Sequence, residues 1–195
     1  MWPWEHAVVG YLTYSIGVHL LRRRPPTALE AVAVAVTSVL PDLIDKPLAW
    51  EFGLFPSGYG AAHSVFFAVP LAWTALVVAA TFRRAGVGLA FGTGYLLHLA
   101  GDVVPDAFGG GGVPIERILW PLLTVETTYE GGFAGTLLSY FADAARDLLS
   151  GPPSLSVLVT LGLTIGCGLL WVYDGMPGLR EPVAFCRHRL RERRD

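Results

Sequence analysis

The stretch SVFFAVPLAWTALVVAATF, Ser64 to Phe82, holds 19 residues and no charge, and Arg83 and Arg84 close it. A helix of that length rises about 28 Å, close to the thickness of a bilayer's hydrocarbon core. A second stretch, LSVLVTLGLTIGCGLLWVY, runs from Leu155 to Tyr173 with the same length and the same lack of charge. Three further apolar stretches run from Ala7 to Leu21, Ala28 to Ile44 and Gly86 to Val104. The composition agrees with them. Hydrophobic residues make up 53% of the 195 and charged residues only 15%, where soluble domains carry about a quarter. Mean hydropathy is +0.50. The expectation is an all-α integral membrane bundle of about five transmembrane helices.

Basic residues give the orientation. Arg22 to Arg24 follow the first stretch, and Arg83 and Arg84 separate the third from the fourth. Arg180, Arg187, Arg189, Arg191, Arg193 and Arg194 follow the fifth. Positive charge stays on the cytoplasmic side, so the N-terminus is expected outside and the C-terminus inside a prokaryotic plasma membrane. Residues 1–178 form the membrane domain, and 179–195 form a basic cytoplasmic tail. No Lys or Arg precedes the first stretch, so it reads as a membrane helix rather than a cleaved signal.

The opposite side holds Asp45 to His63 and Val104 to about Pro153. Lys46, Arg117 and Arg146 are its basic residues, among many carboxylates. Gly132 to Leu149 reads as an amphipathic helix lying on that outer surface. Val113 to Leu123 reads as interfacial or re-entrant. A net charge of −2 gives no reason to expect a nucleic-acid partner. Cys167 and Cys186 lack zinc-ligand spacing.

The topology, drawn from Arg positions alone, collects one set of groups on the outer side. His6 starts the first span, Asp42 and Asp45 end the second, and His63 precedes the third. His98, Asp102 and Asp106 lie in the outer part of the fourth. His98 and Asp102 are four apart and share a helix face. Asp42 and Asp45, three apart, do the same if the helix continues through them. Ionisable groups at membrane depth are costly and usually functional. Imidazole with carboxylate suits Zn, Mn or Fe, and one or two ions would relieve the repulsion among the carboxylates. A hydrogen-bond network without metal is the competing expectation. His19 and His188 fall on the cytoplasmic side and are set aside. Ser64 reads as a supporting hydroxyl.

These elements together resemble the YdjM-type family of predicted membrane-bound metal-dependent hydrolases. The matching pieces are His6, LPDLIDKP from Leu40 to Pro47, His63-Ser64, GYLLHLAGD from Gly94 to Asp102, and ILWPL from Ile118 to Leu122. They cover roughly residues 1 to 123. The resemblance implies that His6, Asp42, Asp45, His63, His98 and Asp102 are metal ligands. Members often carry His-Arg-Gly ahead of the His-Ser pair, where this chain has Ser57 to Ala62 without His or Arg.

The function expected is hydrolysis of an ester or phosphoester at the outer face by metal-activated water. Membrane lipid is the expected neighbour, and a lipid-like or phosphoester compound the expected substrate. His6, His63, His98 and Asp102 would hold metal. Asp42 and Asp45 would bridge a second ion, or one would act as general base, with Asp106 orienting a ligand. The alternative is a non-enzymatic protein that binds metal or moves ions or protons. A polar chain through the bundle would favour it.

Overall fold

The computed structural model describes residues 3–108, 112–127, 132–149 and 154–181. Among them are seven α-helices, one 3-10 turn (Ile115–Arg117) and no strand. The helices are α1 Pro3–Arg22, α2 Ala28–Thr37, α3 Leu40–Trp50, α4 Val65–Thr81, α5 Ala85–Phe108, α6 Gly132–Leu149 and α7 Leu155–Tyr173. The glycines at 109–111 and the tail from residue 182 lie outside the described residues.

Among the described helices two, α5 and α7, are long and apolar enough to cross a membrane. The apolar α4 has 17 residues. In α1, Glu5, His6, Ser15 and His19 dilute the hydropathy. The structure thus carries the all-helical class, with fewer clear spans than the five expected.

The stretch from Ala28 to Ile44 is the main departure. It reads as one helix in hydropathy, yet α2 stops at Thr37 and α3 starts at Leu40. Pro41 explains the stop. It lacks an amide proton, and its ring would clash with the carbonyl four residues back, that of Thr37. Thr27 and Glu30 start α2 with a reciprocal capping box, which satisfies orphan donors of the first turn. Arg24 then clamps the buried Glu30 carboxylate through both oxygens, at 2.7 and 2.6 Å.

The central helix α5 packs against α1, α2 and α4. Glycines let three helices meet at the α2 break. A Cβ on Gly94 would lie 2.3 Å from Thr37 Oγ1 and 2.5 Å from the Val34 carbonyl, and one on Gly10 would lie 2.1 Å from Ser38 Oγ. Gly94 is one turn from His98. A Gly94→Ala variant should therefore force α5 away from α2, at about 1–3 kcal/mol of overpacking. A thermal melt that matches the parent protein would contradict this close approach.

The amphipathic α6 docks through aromatic rings. Trp50 meets Phe133 and Tyr140, and Trp4 stacks on Phe141. The outer helix α7 packs against α1 and leaves Leu158, Val159, Leu161, Ile165 and Leu169 exposed. Its polar anchor is the buried Asp174. Tyr11 and Ser15 donate to Asp174 Oδ2 at 2.7 and 2.6 Å, and His19 Nε2 lies 2.6 Å from Oδ1. His19, set aside on sequence, thus helps to seat α7.

Candidate metal centre

Five of the six candidate ligands converge around a small buried space. α3 supplies Asp42, α5 supplies His98 and Asp102, α1 supplies His6, and the loop ahead of α4 supplies His63. Their exposures run from 0 to 7%. His63 Nε2 and His98 Nε2 are 3.1 Å apart. Asp42 Oδ1 lies 3.3 Å from His63 Nε2 and 3.6 Å from His98 Nε2. Asp102 Oδ2 lies 3.5 Å from each of the same two nitrogens.

The tautomers follow from the other ring nitrogens. His98 Nδ1 is 2.7 Å from the Ser38 carbonyl, and His63 Nδ1 is 2.8 Å from Asp45 Oδ2. Both partners only accept, so each Nδ1 carries the proton and donates it. In the neutral rings both Nε2 atoms then present lone pairs to one another. Two lone pairs at 3.1 Å repel unless a cation lies between them, either a shared proton or a metal ion. Asp42 Oδ1 and Asp102 Oδ2 are buried with no hydrogen-bond partner, and such orphans are rare without an ion or water. Four ligands set tetrahedrally about 2.0–2.1 Å from zinc stand about 3.3 Å apart. The five separations above, from 3.1 to 3.6 Å, bracket that edge. The residues fit a divalent ion.

His6 stands on the far side of Asp102. Its Nε2 is 3.4 Å from Asp102 Oδ1, and its ring lies on that of His98 with centroids 3.9 Å apart. Its Nδ1 is buried without a partner. His6, His98 and Asp102 make a second trio close enough to hold an ion, beside Asp42, His63 and His98.

Asp45 departs from the ligand role expected for it. It is fully buried, but its oxygens are already engaged. Oδ2 accepts from the amides of Gly60 and His63, both at 2.9 Å, and from His63 Nδ1. Oδ1 accepts from the Ala62 amide at 3.1 Å. This carboxylate folds the 60–63 loop around itself and turns His63 so that Nε2 faces the cluster. Metal-bound histidines ordinarily have such a partner on the second nitrogen.

Lys46 does similar work for Asp42. Its Nζ is 2.6 Å from Asp42 Oδ2 and stands over the Trp50 ring. That holds one oxygen and leaves Oδ1 toward the histidines. The break at Pro41 contributes as well. Carbonyls at the end of α2 lack continuing helical partners, and Ser38 spends its own on His98. Sequence reading missed Lys46 and Ser38, although the i, i+4 spacing of Asp42 and Lys46 is a visible signal.

Ser64 is a helix cap. Its Oγ accepts from the Phe66 amide and donates to the Trp120 carbonyl, tying 113–123 to the start of α4. That hydroxyl is occupied both as donor and as acceptor. A Ser64→Ala variant should lose about 1 kcal/mol of stability and keep its metal content. Loss of metal at unchanged stability would place Ser64 in the site. The backbone of Asp106 belongs to α5, and its side chain lies outside the described residues.

His63 sits in the loop before α4. Burial disfavours its charged form, but the carboxylates of Asp42 and Asp45 beside its ring outweigh that and raise its pKa to about 9. An ion needs the Nε2 lone pair, so binding displaces a proton. Below pH 9 the affinity should therefore rise with pH, about tenfold per unit for one proton. Zinc competition at pH 6, 7 and 8 measures it, and a flat profile would rule out His63 Nε2 as a ligand.

A buried His/Asp cluster at one end of an apolar helical bundle is the setting in which the comparison with known families becomes informative. The model of the family described as YdjM inner membrane protein matches residues 1–175. The chain belongs to that family. The match runs past Leu122, where the recognisable motifs end, through α6 and α7. The helices that carry no motif thus lie within the family match. The family description and the two apolar helices both fit the inner membrane. No curated protein and no solved structure matches the chain.

Proposed function

We propose that this chain is a membrane-embedded, metal-dependent hydrolase acting on an ester or phosphoester at the outer face. The observation that carries the reading is the quartet of His63 Nε2, His98 Nε2, Asp42 Oδ1 and Asp102 Oδ2. It is buried, five of its six separations match the ligand edges of a metal ion, and it is oriented by Asp45, Ser38 and Lys46.

A divalent ion there (Zn, Mn or Fe) would supply Lewis acidity and, at a position beyond the four side chains, a water of lowered pKa. The residues do the rest. Asp102 faces the quartet with Oδ2 and His6 with Oδ1, and with His6 it would help to hold any second ion. Asp45 keeps His63 in the required tautomer. Asp42, held by Lys46 on Oδ2, would present Oδ1 to the ion.

The same reading sets the chain across the membrane five times, counting α2 with α3 as one bent crossing. The N-terminus is outside and the basic tail from residue 179 is cytoplasmic. The cluster then lies near headgroup depth, and a lipid or lipid-linked compound is the natural substrate. A panel of phosphoester, carboxyl-ester and lipid substrates, with and without added zinc or manganese, tests this. Metal-dependent turnover that falls in Asp42→Asn supports it, and no turnover across the panel would reject it.

One observation favours a second reading, movement of protons or ions. Tyr11, Ser15, His19 and Asp174 form another buried polar cluster, at the proposed cytoplasmic end. Proton uptake into vesicles that fails in Asp174→Asn would support transport over hydrolysis.

A further inference from the structure

Two helices, α1 and α4, close on an arginine in the left-handed region. α1 ends at Arg22, and Arg23 follows with φ 52°. α4 ends at Thr81, and Arg83 has φ 58°. The close of α4 is well formed: the Arg83 amide donates to the Ala80 carbonyl at 2.9 Å, and the Arg84 amide to the Ala79 carbonyl at 2.8 Å. Glycine is the usual residue at such a position, because a Cβ there crowds the following carbonyl oxygen. The backbone therefore gains nothing from arginine at either turn. Both side chains are exposed, as are those of Arg22 and Arg84.

The two turns stand side by side. α1 packs against α5, and the Tyr14 hydroxyl donates to the Gly86 carbonyl at 2.8 Å. Arg22 Nη1 would lie 3.2 Å from a Cβ placed on Gly86, which follows Arg84 closely in the chain. Four arginines are thus gathered at the end of the bundle away from the metal centre, about 24 Å along α1 from His6. The carboxylates at that end are engaged elsewhere. Arg24 and the Thr27 amide hold Glu30. Tyr11, Ser15 and His19 surround the buried Asp174, and Glu181 accepts from the Gly178 amide. Among the described residues no carboxylate pairs with Arg22, Arg23, Arg83 or Arg84.

Just before these arginines stand the exposed apolar side chains of Leu20, Leu21 and Phe82. Apolar surface bordered by unpaired cations matches the boundary between acyl chains and anionic headgroups. Membrane orientation alone requires only positive charge on that side, which any loop position supplies. It does not call for arginine at two strained positions. We infer that Arg22, Arg23, Arg83 and Arg84 form a site for the headgroup of an anionic phospholipid. The inference rests on the membrane-spanning reading above and is independent of metal and of hydrolysis.

The test melts the full-length protein, purified in a non-ionic detergent, against three titrants. These are phosphatidylglycerol, phosphatidylcholine with the same acyl chains, and inorganic phosphate. Phosphatidylglycerol should raise the melting temperature, and the amount that gives half the rise is the readout. The double variant Arg23→Gly, Arg83→Gly relieves both turns, so it should fold, and it should need at least about tenfold more phosphatidylglycerol. Arg23→Lys with Arg83→Lys keeps the charge and should stay within about threefold of the parent. An unchanged half-point in the glycine variant would overturn the inference. So would phosphatidylcholine that stabilises as well as phosphatidylglycerol. Inorganic phosphate that reproduces the effect would overturn it too, because the ligand would then be a free anion. A protein that stays monodisperse without detergent would remove the membrane-spanning reading as well.

Discussion

A His98→Ala variant is expected to lose divalent-ion affinity by more than about a hundredfold, beyond the 10–100-fold typical of outer-shell partners. His98 belongs to both trios in the centre. His63 Nε2, Asp42 Oδ1 and Asp102 Oδ2 all lie within 3.6 Å of its Nε2. Without the imidazole, two carboxylates and one histidine face each other across a gap. Thermal shift on adding zinc is the measurement. An ion at one hundred times its Kd stabilises by about 2.7 kcal/mol, so the parent melt should move upward by several degrees. The His98→Ala melt should not move. An equal shift in both proteins would mean that zinc binds elsewhere.

An Asp45→Ala variant should fail differently and more severely. Asp45 accepts three backbone amides and the His63 ring proton in a fully buried setting. Removing it leaves four buried donors without acceptors, at about 1–3 kcal/mol each before relaxation. Breaking a buried ionic arrangement on one side typically costs about 3–5 kcal/mol. The metal-free protein should therefore melt well below the metal-free parent. Asp45→Asn, which retains one acceptor oxygen, should fall between. A plain metal ligand would behave otherwise: its removal would abolish the zinc-dependent shift and leave the metal-free melt nearly in place. Metal-free melts of Asp45→Ala and His98→Ala, run side by side, separate the two roles.

Much of the cluster was legible because ionisable residues stand out within and beside apolar stretches. His6, Asp42, His63, His98 and Asp102 stand at ends of apolar stretches, and Arg positions alone put them on one side. The four-residue spacing of His98 and Asp102 gave their shared face. The helices α6 and α7 matched their hydropathy patterns to the residue, Gly132–Leu149 and Leu155–Tyr173.

What stayed hidden depends on contacts that no local pattern records. Asp45 resembles Asp42 in sequence, and only the wrapping of residues 60–63 separates an orienting carboxylate from a ligand. Asp174 meets Tyr11 and Ser15 across more than 150 residues of chain, so nothing near it announces its partners. The α2–α3 break had a visible cause in Pro41, but averaged hydropathy runs straight through a proline. Arg117 lies in an interrupted apolar segment, and its hydrogen bond to the Asp102 carbonyl follows from how that segment is tied to α4.

The central claim is that imidazole and carboxylate groups from distant parts of the chain share one cation. X-ray absorption at the zinc edge of the purified, zinc-loaded protein tests it most directly. The account predicts at least one tightly held ion per chain, with nitrogen and oxygen ligands at about 2.0–2.1 Å and the imidazole scattering of two histidines. A protein that takes up no ion, or one whose spectrum shows sulfur ligands or a hydrated ion without imidazole, would contradict it.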